Sequence, residues 1–209
     1  MSEVVNNWKY AEELALEPEA VVSARAHAVE LGLVPISAGV GAQIAVIAAA
    51  SGAKNIVEFG TGTGHAALWL LRGSPEATIT SVDGEVEHHS VARDVFTEAG
   101  VPAKRTRLIS GRFVDVLPRL NEGSYDLVLI NTIERSVIEL VEHGLRLAKP
   151  GGVVLLTNVF NDGNVPNPAK RDDTSQDIRT LLVELFASAA VTAAVSPSGD
   201  GLLQIVKQR

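Results

Sequence analysis

Residues 54–64, Lys-Asn-Ile-Val-Glu-Phe-Gly-Thr-Gly-Thr-Gly, decide how this chain folds. An apolar strand ends there on an acid, Glu58, and runs straight into three alternate glycines, Gly60, Gly62 and Gly64, with Thr61 between the first two. Glycine admits positive φ and lets the backbone come close to a ligand. A helix that starts after such a turn offers unpaired N–H groups at the positive end of its dipole. The stretch therefore reads as a nucleotide-binding turn. A dinucleotide fingerprint would run G-x-G-x-x-G, but the sixth position here is His65 and the third glycine comes one residue early. That spacing argues against a nicotinamide cofactor. A nicotinamide site and a turn that holds no ligand remain the weaker alternatives.

Working downstream, Ala77-Thr78-Ile79-Thr80-Ser81-Val82-Asp83 is a β-branched run that also ends on a carboxylate. In a βαβ unit its end lies beside the first turn, where an acid can accept both ribose hydroxyls. An acid about 20 residues after the glycines is common to both nucleotide families, so Asp83 supports a nucleotide without choosing one. From Lys54 onward, strands near 54–59, 77–83, 105–109, 125–131 and 152–158 alternate with helical stretches near 64–73, 85–100, 112–121 and 134–148. This alternation predicts a parallel sheet covered by helices on both faces. Gly73-Ser74-Pro75, Gly100-Val101-Pro102, Asn121-Glu122-Gly123 and Lys149-Pro150-Gly151-Gly152 supply turn chemistry at the breaks.

Two segments lie outside that alternation. Residues 3–51 read as helical, with Pro18 and Pro35 as boundaries; 42–50 is apolar nearly all round, which predicts burial against the sheet or a second subunit. The chain thus divides into a helical extension over 1–51, packed on a core over 52–209. At the other end, 173–188 reads as a helix, and 189–195 with 202–207 as an antiparallel hairpin that closes the sheet. Between them, residues 159–172 are rich in Asn, Pro, Asp and Gly. A loop of that length after a parallel strand reads as a substrate lid over the ligand crevice.

Composition narrows the partners. With 209 residues the chain is long enough for one domain with a sizeable core, and 18 basic against 25 acidic residues give a net charge of −7 that speaks against nucleic acid. Lys104, Arg105, Arg107 and Arg112 gather locally, but as a solvated face. The absence of cysteine excludes disulfides, thiolate catalysis and cysteine zinc sites. Residues 1–7 lack the pattern of a signal peptide, and no apolar run approaches the ~20 residues of a membrane span. The expectation is a cytoplasmic protein with a small-molecule substrate, no membrane partner, and a homodimeric assembly.

The glycine pattern E-x-G-x-G-x-G resembles the first motif of class I methyltransferases that use S-adenosylmethionine. Across nearly the whole chain the order of pieces is similar to the family 3 O-methyltransferases, the catechol and caffeoyl-CoA O-methyltransferase family. The shared features run from Pro35-Ile36-Ser37 and Gly41 through Gly52-Ala53-Lys54, the Glu58 turn and Leu68-Trp69-Leu70 to Asp83 and Ser110-Gly111. They continue in 116–120, Tyr125-Asp126-Leu127-Val128, Gly151-Gly152 and Gly199-Asp200-Gly201. The resemblance implies an α/β fold: a Rossmann-like seven-stranded class I methyltransferase sheet with an antiparallel C-terminal hairpin and an N-terminal helical extension. It implies S-adenosylmethionine as cofactor, with Glu58 and Gly60 lining it, Asp83 on the ribose, Gly111, Arg112 and Phe113 near the adenine, and Ile36 near the methionine end. Thr61, Gly62, Gly64 and Asn131 complete the expected cofactor contacts. Ala66 stands where the family often has a serine that holds the cofactor carboxylate.

Metal-dependent members hold magnesium with an Asp after the fourth strand and an Asp-Asn pair after the fifth. Here those positions are Asn131, Thr157 and Asn158. Magnesium normally needs one or two carboxylates to offset its dehydration, so no tight magnesium site is expected. The family's lysine three residues after the first Asp is here Glu134. Losing the metal removes a Lewis acid but leaves methyl transfer possible, because the cofactor supplies the activation. His65, Glu134 and, in the loop, Asp162 are the candidate bases, with Asn131 beside them. His88 and His89 are expected to face solvent. The reading is a metal-independent O-methyltransferase for a small hydroxylated or carboxylated acceptor; the alternative is a silent relative that binds the cofactor as a sensor or structural ligand.

Overall fold

A computed structural model describes residues 3–132 and 137–208. Three helices come first: α1 (Glu3–Leu14), α2 (Glu19–Glu30) and α3 (Ala38–Ser51). The alternating part then runs β1 (Asn55–Phe59), α4 (His65–Gly73), β2 (Thr78–Asp83), α5 (Val86–Glu98), β3 (Thr106–Ser110), α6 (Phe113–Val116), β4 (Tyr125–Ile130), α7 (Val137–Leu147) and β5 (Ala148–Thr157). It closes with α8 (Asp173–Ala187), β6 (Val191–Ser196) and β7 (Leu202–Lys207). The seven strands form one sheet in the order β3-β2-β1-β4-β5-β7-β6, in which β7 runs opposite to the other six.

The strands are apolar on both faces because helices cover both. Successive side chains alternate. Ile56, Ile79, Leu127, Leu129 and Leu155 pack with α2 to α5, while Val57, Phe59, Val82, Val128, Ile130 and Leu156 pack with α7 and α8. Glu58 shares the Ile56 side, and therefore sits among helices rather than in water. The strand order reverses at β1, whose neighbours are β2 and β4. In open α/β sheets the ligand crevice lies outside the carboxyl ends at such a switch point.

Local chemistry sets the helix ends. The Ser37 hydroxyl accepts the Val40 amide at 3.2 Å to start α3, and Gly52 ends it at φ 61°. The expected helix over 112–121 shortens to α6 and a single 3₁₀ turn over Leu117–Arg119, since Pro118 has no N–H to continue the ladder. The Lys149–Gly152 segment, expected as a turn, lies inside β5 and meets β4 at a register shift between Tyr125 and Leu127. There the Lys149 ammonium donates to Asp126 at 2.7 Å.

The N-terminal helices are fastened to the core by polar contacts as well as packing. The Glu12 carboxylate accepts the Gly39 amide at 2.7 Å, the Ser37 hydroxyl at 2.9 Å and the Gly199 amide at 2.9 Å, joining α1, the start of α3 and the β6–β7 turn. α3 lies on α4 through glycine: a Cβ at Gly41 would run into the Trp69 indole. The Ala-rich helix is buried on that face alone, and Val46 on its other face is 67% exposed. No helix of the described residues is long and apolar enough to cross a membrane.

Candidate functional site

β1 delivers the glycine turn to the switch point under tight constraint. The Gly60 amide donates to the Val82 carbonyl at 2.8 Å, and the Asn131 amide to the Phe59 carbonyl at 2.8 Å. Gly60 has φ 91°, and a Cβ there would stand 2.7 Å from the Asn131 carbonyl oxygen, so no other residue fits. Gly62 and Gly64 also have positive φ. Above the turn opens a cavity of about 270 Å³, lined by Gly60 to Thr63, His65, Ala66, Asp83 to Glu85, His88, Phe113, Asn131 and Thr132, with Leu33, Val34 and Pro35 opposite.

Asp83 forms the acidic wall. Its Oδ2 accepts the Gly62 amide at 3.0 Å, and its Oδ1 accepts the Glu85 amide at 2.9 Å and meets His88 Nδ1 at 3.0 Å. These contacts fix the carboxylate in the turn it is expected to serve. Phe113 lies on the same wall, its ring 6.2 Å from that of Phe59.

His65, the first residue of α4, is 4% exposed. Its Nε2 meets Glu17 Oε1 at 3.3 Å. Glu17 takes two hydrogen bonds from Arg25, at 2.6 and 2.8 Å, and Arg25 donates a third to the Ile36 carbonyl at 2.7 Å. The Arg25 guanidinium holds Glu17 below the usual carboxylate range. Burial pushes the His65 ring down to about 4, and the nearby Arg25 charge adds to this. His65 is thus a neutral imidazole near pH 7, with Nδ1 buried and unpartnered. No local pattern announces Glu17, because the contact spans 48 residues.

Several expected residues stand elsewhere. Glu58 lies beneath the turn, fully buried, and does not reach the cavity wall. Ile36 is 3% exposed within the core, because Ser37 caps α3 and turns the chain there; Leu33 to Pro35 face the cavity in its place. Gly111 and Arg112 are off the wall, and Arg112 is an exposed partner of Asp115 at 2.8 Å. Gly64 packs on α5, where a Cβ would come 2.8 Å from Phe96. Glu134 lies outside the described residues. His88 and His89 correct the expectation of a solvent-facing pair: His88 is half-buried on Asp83, and His89 is wholly buried. The spacing His89, Ala92, Phe96 is the apolar stripe of α5 and carried that signal.

Asn131 and Thr157 do come together: the Thr157 hydroxyl donates to Asn131 Oδ1 at 3.0 Å. Asn158, the next residue, has φ 54°. No group of three or more His, Cys, Asp or Glu among the described residues could hold a metal ion. The 159–172 loop is held by main-chain contacts to α8 and the β6–β7 turn. Arg179 on α8 donates to the carbonyls of Val165 at 2.9 Å, Asn164 at 2.7 Å and Asn167 at 2.8 Å, and Asp200 accepts the Asp162 amide at 2.7 Å. None of its residues lines the cavity.

Residues 13–208 match the O-methyltransferase family. A relative from Mycobacteroides abscessus with a provisional O-methyltransferase name is 39% identical over 195 residues, which cover 93% of this chain and 91% of that one. Among solved structures, the O-methyltransferase TomG of Streptomyces achromogenes, involved in tomaymycin synthesis and crystallised with S-adenosylmethionine, has a TM-score of 0.86. It is 27% identical, over 100% of both chains. A Corynebacterium glutamicum protein reaches a TM-score of 0.89 at 27% identity, over 100% of this chain and 98% of its own.

The Glu58 carboxyl sets a pH dependence of stability. Burial raises it to about 8, with the Asp83 charge adding to the effect against the Ser81 hydrogen bond. The folded chain keeps this proton while the unfolded chain releases it near the ordinary value of 4.5, so stability falls as pH rises from there through about 8. Urea denaturation between pH 5 and 9 is expected to show this decline, and Glu58→Gln to flatten it. An unchanged slope in the variant would mean that Glu58 is ionised throughout.

Proposed function

The chain belongs to the O-methyltransferase family, and on that premise we propose that it transfers a methyl group from S-adenosylmethionine to a small hydroxylated or carboxylated molecule without a bound magnesium ion. The observation that carries the metal-independent reading is the Thr157 to Asn131 hydrogen bond of 3.0 Å. Two neutral side chains satisfy one another at the carboxyl ends of β4 and β5, where a hard dication would need carboxylates.

The cavity suits the cofactor. Asp83 offers a charged acceptor for ribose hydroxyls, Phe113 an apolar face for a purine, and the glycine turn close backbone approach. The first N–H groups of α4 have no intrahelical partner and suit a carboxylate, which offsets the missing hydroxyl at Ala66. S-adenosylmethionine, when bound, supplies an electrophilic methyl group, so the protein has to align an acceptor and remove its proton.

His65 is a poor base for that proton, since burial holds the ring at about 4 and Glu17 engages its Nε2. Glu134 is the better candidate, three residues after Asn131 in the sequence. A homodimer belongs to the same reading: Trp8, Tyr10, Leu14 and Leu16 are exposed along α1 and its C-terminal end, and Val46 on α3.

Calorimetric titration with S-adenosylmethionine and its demethylated product, each with magnesium and with a chelator, is expected to give micromolar affinity that the chelator leaves unchanged. Loss of binding in chelator would overturn the metal-independent reading, and absence of all binding the cofactor reading. Once an acceptor is found, Glu134→Gln is expected to lower kcat by about 10²-fold or more; unchanged turnover would remove Glu134 as the base. A chain that binds cofactor but methylates no acceptor would instead be a sensor or structural relative. Sedimentation velocity should give twice the chain mass, and a monomer at micromolar concentration would rule the dimer out.

A further inference from the structure

Beneath the cavity, five side chains from five elements are joined end to end. The Ser81 hydroxyl meets Glu58 Oε2 at 2.6 Å, Thr61 meets Ser81 at 2.6 Å, His89 Nε2 meets Thr61 at 3.1 Å, and His89 Nδ1 meets Ser110 at 2.8 Å. Glu58, Ser81 and His89 are 0% exposed and Thr61 2%, whereas Ser110 reaches the surface. Thr61 also lines the cavity.

A hydroxyl has one proton to give, so a chain of hydroxyls has a direction. With Glu58 ionised, Ser81 must donate to it; Thr61 then donates to Ser81 and accepts from His89 Nε2–H, and the bare Nδ1 accepts from Ser110. With a proton on Oε2, Glu58 donates to Ser81 and every bond turns round, ending with His89 Nδ1–H donating to Ser110. Protonation at Oε1 would leave the relay unchanged, but Oε1 is buried without any partner among the described residues. An O–H there would be a buried donor with nothing to receive it, so the proton belongs on Oε2.

We propose that these five residues form a reversible relay in which one proton on Glu58 selects the ring tautomer of His89, making His89 a positioning residue that couples a buried carboxyl to the nucleoside side of the cavity. The coupling to a nucleoside rests on the cofactor reading given above; the relay does not. It runs from Glu58 to Ser110, the last residue of β3, and meets the glycine turn midway, through Thr61. When the direction reverses, the Ser110 O–H is released from His89 and becomes available to the solvent.

The surroundings keep the switch to a single proton. Burial holds His89 below its usual range, with Asp83 of β2 pulling the other way and Arg93 and His88 of its own helix adding to the depression. On Glu58, β2 turns Ser81 and the Asp83 charge, while β4 places Leu129 in register, which carries no charge. Glu58 titrates near 8 and His89 stays neutral there.

Long-range ¹H–¹⁵N spectra of histidine-labelled protein, free of cofactor, test this directly between pH 6 and 9.5, with His89→Asn giving the assignment. The expected result is Nδ1–H at low pH converting to Nε2–H at high pH with no imidazolium between. In Glu58→Gln and in Ser81→Ala the tautomer should no longer depend on pH. One tautomer throughout in the native chain, or a switch that persists in both variants, would overturn the relay. Affinity for the demethylated cofactor should change with the same midpoint. His89→Ala should weaken it about tenfold, and His89→Gln, which keeps the Thr61 contact, should recover part of the loss. If the tautomer switches while affinity does not follow, His89 is not a positioning residue; if the native chain binds neither cofactor form, the cofactor reading fails while the spectra still decide the relay.

Discussion

Everything at the head of the sheet depends on how closely β1, β2 and β4 converge where β1 ends. The Gly60 amide and the Phe59 carbonyl continue the ladders one step past the strand, to Val82 on one side and to Asn131 on the other. The space left between them admits no Cβ. Because the turn is held from both flanks, its amides point in fixed directions, and the Gly62 N–H finds Asp83. The cavity is therefore a product of backbone geometry first and of side chains second, and it is largely formed before any ligand arrives.

Two carboxyls near this turn, Glu17 half-buried and Glu58 fully buried, meet desolvation in opposite ways. Leaving an unpaired charge in such surroundings costs on the order of several kcal/mol. Glu17 stays ionised because Arg25 meets it with two hydrogen bonds, and the pair then anchors His65 as a neutral ring. Among the described residues Glu58 meets only the Ser81 hydroxyl and the repelling Asp83 charge, and it keeps its proton. The first arrangement ties the N-terminal helices to the start of α4. The second places a neutral carboxyl under the turn.

The fold was legible because its signals are periodic and local. Strands alternating with helices gave the parallel sheet, as the strand order bears out, and the glycine turn and Asp83 come together at its switch point. What escaped was the direction of individual side chains and contacts far apart in sequence. Ile36 differs from its neighbours only by where Ser37 bends the chain, and Glu17 reaches His65 across two helices. His89 was misjudged because acids at 85 and 87 suggested a wet face, although its spacing to Ala92 and Phe96 put it on the apolar one. For the 159–172 segment, composition signalled irregular backbone, which is not the same as a loose one.

That last segment has a consequence for how the protein can diversify. Arg179 grips it through main-chain oxygens, at Asn164, Val165 and Asn167, and asks nothing of the side chains there apart from the buried Val165. Among the exposed residues from 166 to 171, Asn167 braces the path, its Oδ1 accepting the Ala169 amide at 3.0 Å, while Lys170 and Arg171 can be exchanged without loosening it. A surface whose shape is secured from behind, by Arg179 and by Asp200, is free to drift in side-chain chemistry, so relatives could differ in what they present along this rim while sharing the same scaffold.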